Sequence, residues 1–351
     1  MLFRQLFHIG SGSYTYLLAG RPGGEALIID PVLEQVERYL KLLEELDLDL
    51  AKVVDTHVHA DHVSGMGALR DRTKCVTVMG AEAPVDVVSM RVRDGDAIEI
   101  EGVRLRALHT PGHTSDSYCF VMDDRVFTGD TLLIRGTGRT DFQNGDPVAQ
   151  FDSLFGKLLT LPEETLVYPG HDYKGDTVST IGEERRFNPR LQVASAGEYV
   201  TIMNALDLAD PKMMDIAVPA NLNVGCGQQD EAHPECALTP GDVMGARRRS
   251  EWILVDLRED TERARDGVIP GSVHAPYGRL TSMIGPGGTL RALAGQPGNR
   301  LLYYCAFGER SAMAVDTSRE CGVGNVCHLV GGVSAWREAG GALADGTVEA
   351  R

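Results

Sequence analysis

Positive charge is scarce in this chain of 351 residues: 34 Lys and Arg face 50 Asp and Glu, which leaves a formal net charge of −16. A nucleic-acid partner is thereby excluded, because such binding draws its affinity from clustered cations on the phosphate backbone. The single basic run, Arg247-Arg248-Arg249, is too short for a binding patch and reads as a solvated helix face. Long apolar runs are also missing. None approaches the roughly 18 residues needed to span a bilayer, and Met1-Leu2-Phe3-Arg4-Gln5-Leu6-Phe7-His8 has neither the apolar core of a signal sequence nor the Arg/Ser-rich length of a transit peptide. Cysteine is present but unorganised. The seven, at 75, 119, 226, 236, 305, 321 and 327, lack the spacing of a secreted disulfide scaffold and imply a reducing compartment. The expectation is a cytoplasmic protein with no membrane or nucleic-acid partner. Internal repeats and low-complexity tracts are absent.

At about 100 to 200 residues per domain, this length predicts two domains. The polar, glycine-rich stretch from Gly225 to Pro234 reads as the linker between residues 1–235 and 236–351. The first part alternates short β-like runs with helical spacing. Ala26 to Asp30 and Cys75 to Met79 read as strands, and Ala97 to Ile100 with Val103 to Leu105, and Tyr118 to Met122 with Val126-Phe127, read as hairpins. Apolar residues at 33, 36, 40, 43 and 46 predict a helix that Asp30-Pro31 can start. The pattern predicts an α/β sandwich whose strand ends and loops carry the chemistry. In the second part, Trp252 to Asp256 and Leu301 to Tyr304 read as buried strands of a parallel α/β domain.

The densest chemistry lies in Thr56-His57-Val58-His59-Ala60-Asp61-His62. An extended backbone points His57 and His59 to one face, while Asp61 and His62 follow on a turn. Four such groups this close desolvate one another at a cost unless a cation or protons compensate. Three later segments repeat one plan of strand end, turn and ligand: Thr110-Pro111-Gly112-His113, Phe127-Thr128-Gly129-Asp130 and Tyr168-Pro169-Gly170-His171.

Together these motifs resemble the metallo-β-lactamase superfamily over about the first 235 residues. The resemblance implies a four-layer αβ/βα sandwich with metal at its edge. One site would match His57, His59, His113 and Asp130, and a second Asp61, His62, Asp130 and His171. Segments Leu133 to Phe142, His171 to Gly175, Phe187 to Leu191 and Ala217 to Asn221 are similar to the persulfide dioxygenase branch. That branch implies one Fe(II) per chain held by His57, His113 and Asp130, with three positions open for water, O2 and substrate. His59, Asp61, His62 and His171 would then be vestigial or would orient the ligands. Arg139 and Tyr173 match substrate-contacting residues, with Arg139 on a glutathione carboxylate. Thr137 stands where mitochondrial relatives have a cysteine.

Cys305-Ala306-Phe307-Gly308-Glu309-Arg310-Ser311 follows one predicted strand and precedes a helix predicted from Ser311 to Glu320. Inward-pointing backbone N–H groups, including that of Gly308, and the helix N-terminus by Ser311 form an anion cradle, and Arg310 is expected to neutralise the bound anion. This loop, with Val255 to Glu259, Gly267 to Pro276 and Gly331 to Trp336, resembles the rhodanese family. Four residues separate Cys305 from Arg310, a smaller ring than that of related phosphatases, suited to one terminal sulfur. Cys305 is expected to become a persulfide. Asp256 reads as a loop cap, Cys119 as core, and His8, His109, His233, His274 and His328 as structural.

The two resemblances together imply an enzyme that oxidises glutathione persulfide with O2 to sulfite and glutathione, and that exchanges sulfane sulfur between thiosulfate and glutathione. Two alternatives stay open. One is a dinuclear zinc thioester hydrolase like glyoxalase II using all seven ligands. The other is a non-enzymatic persulfide carrier or sensor. Self-association into a homodimer is left open.

Overall fold

The computed structural model describes residues 1–85, 88–142, 144–208, 211, 213–223, 236–246 and 252–346. The expected linker, Cys226, His233 and Arg247 to Arg249 lie outside them. The chain divides into two compact units, Met1–Asp86 with Met90–Gly225, and Val87–Ser89 with Cys226–Arg351.

The first unit holds two six-stranded sheets. One contains β1 (Leu2–His8), β2 (Ser13–Ala19), β3 (Glu25–Ile29), β4 (Asp49–Val54), β5 (Val76–Gly80) and β6 (Met90–Val92) in that spatial order. The other runs in reverse through β7 (Ala97–Ile100), β8 (Val103–His109), β9 (Tyr118–Val121), β10 (Arg125–Gly129), β11 (Leu166–Pro169) and β12 (Ser179–Thr180). Both expected hairpins are present as β7–β8 and β9–β10. Phe3 and Tyr16 of one sheet meet Phe127 and Tyr168 of the other, with ring centroids 4.9 to 6.3 Å apart. Aromatic burial between the sheets is what holds the sandwich closed.

The predicted first helix forms as a 3-10 turn, Leu33–Gln35, running into α1 (Val36–Glu45). Asp30 does not cap it. This residue has a positive φ of 51°, and its carboxylate turns inward to Thr56 and His59. Helix α2 (Met66–Thr73) lies against β4 and β5. Helix α3 (Pro147–Gly156) packs on the second sheet together with α5 (Ala196–Asn204), burying Leu154, Tyr199 and Met203 with Val126 and Val167. Between them in sequence comes α4 (Ile181–Phe187), and α6 (Met214–Leu222) follows. The unit is the expected αβ/βα sandwich.

The second unit contains a five-stranded parallel sheet ordered β13-β17-β16-β14-β15, with β13 at Ala237–Leu238, β14 at Trp252–Asp256, β15 at Val273–His274, β16 at Arg300–Tyr304 and β17 at Val326–Leu329. Six helices accompany it: α7 (Pro240–Ala246), α8 (Asp260–Asp266), α9 (Leu280–Ile284), α10 (Thr289–Ala294), α11 (Glu309–Glu320) and α12 (Gly332–Glu338). Its core unites Leu254, Val255, Leu301, Tyr303, Val326 and Trp336. Among the described residues no helix is long and apolar enough to cross a membrane.

Candidate metal centre and candidate sulfur-transfer loop

Strand direction explains why distant ligands converge. Because β9 is antiparallel to both β8 and β10, and β10 is parallel to β11, the C-terminal ends of β8, β10 and β11 share one edge. The loops leaving those ends carry His113, Asp130 and His171. His57, His59, Asp61 and His62 arrive on the loop after β4, which is irregular rather than extended. One ligand atom each of His57, His113 and Asp130 lies within 4.8 Å of the others, and the same holds for His59, Asp61 and His62.

Neighbouring groups set which ring nitrogens face the cluster. The Nδ1–H of His113 donates to the Arg139 carbonyl at 2.8 Å, leaving Nε2 3.6 Å from Asp130. The Thr56 hydroxyl donates to Asp30 at 2.9 Å and so accepts from His57 Nδ1 at 3.0 Å, which frees His57 Nε2. Partners of this kind fix tautomer and orientation in metal-ligating histidines. Burial holds the His57 imidazole well below its ordinary pKa, with His59 and His113 adding to the effect, so it stays neutral. Burial works against ionisation of Asp130, but His171, and less strongly His113 and His57, hold its carboxyl well below the usual range. His171 bridges two carboxylates, with Nδ1 2.6 Å from Asp130 and Nε2 2.8 Å from Asp61.

A cation fits this donor set. His59 Nδ1 and His62 Nε2 are buried without hydrogen-bond partners, and leaving such an atom unsatisfied costs about 1 to 3 kcal/mol. Neutral imidazoles and ionised carboxylates are also the protonation states that ligate metals. Asn221 of α6 clamps the ligand loop: its amide donates to the carbonyls of His59 at 2.8 Å and His62 at 2.9 Å, and accepts from Ser64 N–H at 2.8 Å.

Beside the cluster opens a cavity of about 280 Å³ lined by His113, Asp130, Arg139, Tyr173, Lys174 and Arg190, among others. Its loop approaches closely. At Gly138 an added Cβ would lie 2.1 Å from the Asp130 carbonyl oxygen and 2.9 Å from the His113 ring, so only glycine fits. Tyr173, 76% exposed, stacks on His171 with centroids 6.0 Å apart. Arg139 is held by both oxygens of Asp141, at 2.6 and 2.7 Å.

In the second unit, Cys305 follows β16 and is fully buried. Its backbone carbonyl accepts from Val333 N–H at 2.8 Å and that of Ala306 from Ser334 N–H at 3.1 Å, so the start of α12 turns these carbonyls away from the thiol. The N–H of Gly308 points in, 3.2 Å from Cys305 Sγ. Gly308 has φ 102° and caps α11, where a Cβ would strike Gly331 N at 2.8 Å. Ser311 Oγ lies 3.9 Å from Sγ and donates to the Gly308 carbonyl. Arg310 is placed differently from the expectation that it neutralises a bound anion. Its guanidinium is buried and gripped from both ends by Glu262 of α8, at 2.8 and 2.6 Å. Its charge is therefore already compensated, and the positive character of the cradle comes from backbone N–H groups and the helix N-terminus.

Removing one partner of a fully buried pair costs about 3 to 5 kcal/mol. Glu262→Gln is expected to destabilise the second unit by that amount, read as a lower midpoint of its transition in denaturant. An unshifted midpoint would show the pair to be dispensable.

The sequence-predicted residues thus assemble into two clusters. His57, His59, Asp61, His62, His113, Asp130 and His171 form one, with Arg139 and Tyr173 on its cavity; Cys305, Gly308, Arg310 and Ser311 form the other. Asp30, Thr56, Asn221 and Glu262 carry no motif that marks them, although Asn221 lies in a segment singled out by resemblance. Asp256 is a buried clamp, accepting from Arg258 Nε at 2.9 Å, Nη2 at 2.7 Å and the Tyr304 hydroxyl at 2.9 Å. Cys119 is core, and His8, His109 and His274 make local hydrogen bonds.

Residues 9–171 match the metallo-beta-lactamase superfamily and residues 239–339 the rhodanese-like domain. The chain is 46% identical over 232 residues to the mitochondrial persulfide dioxygenase ETHE1 of Homo sapiens, covering 64% of this chain and 89% of that one. It is similar to the crystal structure of ETHE1 from Myxococcus xanthus, with 52% identity, a TM-score of 0.62, and coverage of 65% of this chain and 100% of that one. A metallo-beta-lactamase from Staphylococcus aureus shares the fold over 93% of this chain and 98% of its own, at 20% identity and a TM-score of 0.59. Through its N-terminal part the chain belongs to the persulfide dioxygenases of the metallo-β-lactamase superfamily, and a rhodanese-like domain follows.

Proposed function

We propose that this is a bifunctional cytoplasmic enzyme of sulfane-sulfur metabolism. Residues 1–235 oxidise glutathione persulfide, GSSH + O2 + H2O → GSH + SO3²⁻ + 2 H⁺. Residues 236–351 exchange sulfur between thiosulfate and glutathione, S2O3²⁻ + GSH → GSSH + SO3²⁻, through a persulfide on Cys305. One observation carries the first assignment: His171 has both ring nitrogens on carboxylates, which leaves His57, His113 and Asp130 as a compact three-donor set beside a cation-lined cavity. One Fe(II) held there would supply the redox chemistry with O2 that zinc lacks.

The chain's own groups prepare that site. His57 stays neutral through burial, and His113 is aimed by the Arg139 carbonyl. Asp130 stays ionised, with its other oxygen held by His171. Tyr173 and Arg139 flank the space where the persulfide would lie, as cavity-lining residues. In the transfer half, thiolate Cys305 takes the outer sulfur of thiosulfate and sulfite leaves with the bonding electron pair. Gly308 N–H and Ser311 then face the sulfur that glutathione removes.

A specific observation favours a second reading. The partnerless nitrogens of His59 and His62 lie outside the three-donor set, as a dinuclear zinc hydrolase would use them. Metal content with oxygen uptake separates the two. One iron per chain and one O2 consumed per GSSH is the expected result; two zincs per chain with no O2 uptake would replace the dioxygenase reading with the hydrolase.

A further inference from the structure

The cavity beside the cluster is lined by four cationic side chains, Arg135, Arg139, Lys174 and Arg190, and their surroundings differ. Arg135 is paired with Glu183 and Glu184. Arg139 is clamped by Asp141 at 2.6 Å and also donates to the Leu208 carbonyl. Lys174 is exposed, where water and salt weaken a charge contact. Arg190 is half-buried, and among the described residues no carboxylate pairs with it. Neutral acceptors hold it instead. Its Nη1 donates to the carbonyl of Thr137 and, at 3.1 Å, to the Thr137 hydroxyl.

That hydroxyl is itself braced. Tyr199 Oη lies 3.1 Å from Thr137 Oγ1 and 2.8 Å from Gln150 Oε1, both partners being buried. The backbone N–H of Arg190 is tied to Asn188 Oδ1 at 3.1 Å, and the Asn188 amide donates to the Gly136 carbonyl at 2.9 Å. The guanidinium is therefore fixed in place through Nη1 alone, while Nε and Nη2 make no hydrogen bond to the described protein. Those two nitrogens are the edge that grips a carboxylate with paired hydrogen bonds. Burial also lowers the Arg190 pKa with no counterion to offset it.

We propose that Arg190 anchors a carboxylate of a peptide-like persulfide in this cavity, Arg139 being already neutralised by Asp141. The inference rests on the persulfide dioxygenase reading and names the binding residue within it. The sulfur end of such a substrate then reaches toward His113 and Asp130, which line the same cavity. Thr137, in place of a thiol, acts as the acceptor that orients the anchor.

The test compares Arg190→Gln, Arg190→Lys and Arg139→Gln in the metal-loaded full chain, with glutathione persulfide and with the persulfide of glutathione diethyl ester. A charge-assisted contact contributes about 1.5 to 3 kcal/mol, so Arg190→Gln is expected to raise KM for glutathione persulfide roughly 10- to 100-fold. The loss falls on KM rather than kcat, metal content is unchanged, and the variant no longer prefers the free acid to the ester. Arg190→Lys recovers part of the loss, and Arg139→Gln gives the smaller shift. Glutathione binding measured by calorimetry should weaken in parallel. An Arg190→Gln protein that keeps its KM and its preference for the free acid would falsify the assignment, as would a loss that tracks metal content. If the unaltered chain oxidises no persulfide, the enzymatic reading fails; glutathione binding then decides Arg190, weaker binding in Arg190→Gln supporting it and equal binding overturning it.

Discussion

His113→Ala is expected to abolish oxygen uptake with glutathione persulfide while sulfur transfer from thiosulfate continues. The change removes a donor at the cluster and, with it, the hydrogen bond from Nδ1 to the Arg139 carbonyl that ties the cavity loop to the cluster. Loss of a group that merely orients a metal ligand costs about 10- to 100-fold in affinity or activity, so loss of the donor itself should exceed that range. Bound metal should fall in step, because His57 and Asp130 alone leave two of three donors. The measurement is metal content beside oxygen-electrode rates, with thiosulfate and glutathione as the internal control for intact protein. Full metal and undiminished oxygen uptake would remove His113 from the ligand set. Simultaneous loss of transfer would indicate a folding defect, and the milder Asp130→Asn, which preserves shape while withdrawing the charge that His171 faces, then serves as the second variant.

Cys305→Ser should give the opposite pattern. Serine preserves the volume of the site, and its oxygen can still receive the Gly308 N–H that Cys305 Sγ receives at 3.2 Å. It cannot form a persulfide. Loss of a covalent nucleophile costs several orders of magnitude, and transfer is expected to drop by at least about a thousandfold. Oxygen uptake with preformed glutathione persulfide should be spared, whereas uptake fed by thiosulfate and glutathione should stop, because nothing then supplies the persulfide. Residual transfer in Cys305→Ser would point to another thiol. A native chain that loads sulfur on Cys305 but delivers it to neither glutathione nor sulfite would favour the carrier reading.

The donors of both clusters were legible because each is local in sequence. His57-x-His59-x-Asp61-His62 sits in one turn, and His113, Asp130 and His171 each end a strand, a position that period-two patterning reveals without any tertiary information. The hairpins across Glu101-Gly102 and Asp123-Asp124 were readable for the same reason. Counter-charges were not. Arg310 looked like an anion-binding cation, and Arg139 like an open carboxylate contact, because nothing adjacent to them predicts Glu262 or the geometry of Asp141. Asp30 looked like a helix start, yet its carboxylate serves Thr56 and His59 across 26 and 29 positions.

Residue types and their periodicity alone determined that this chain has two α/β units, one rich in metal donors at strand ends and one with a cysteine at the mouth of a helix. Such features depend on backbone geometry within a few residues. Only the tertiary structure decided which charges are spent and which remain: Glu262 on Arg310 across 48 positions, Asn221 on the His59 carbonyl across 162, and Arg190 with no carboxylate among the described residues. Charge compensation and hydrogen bonding act over a few ångströms, and those ångströms are set by how distant strands and helices pack.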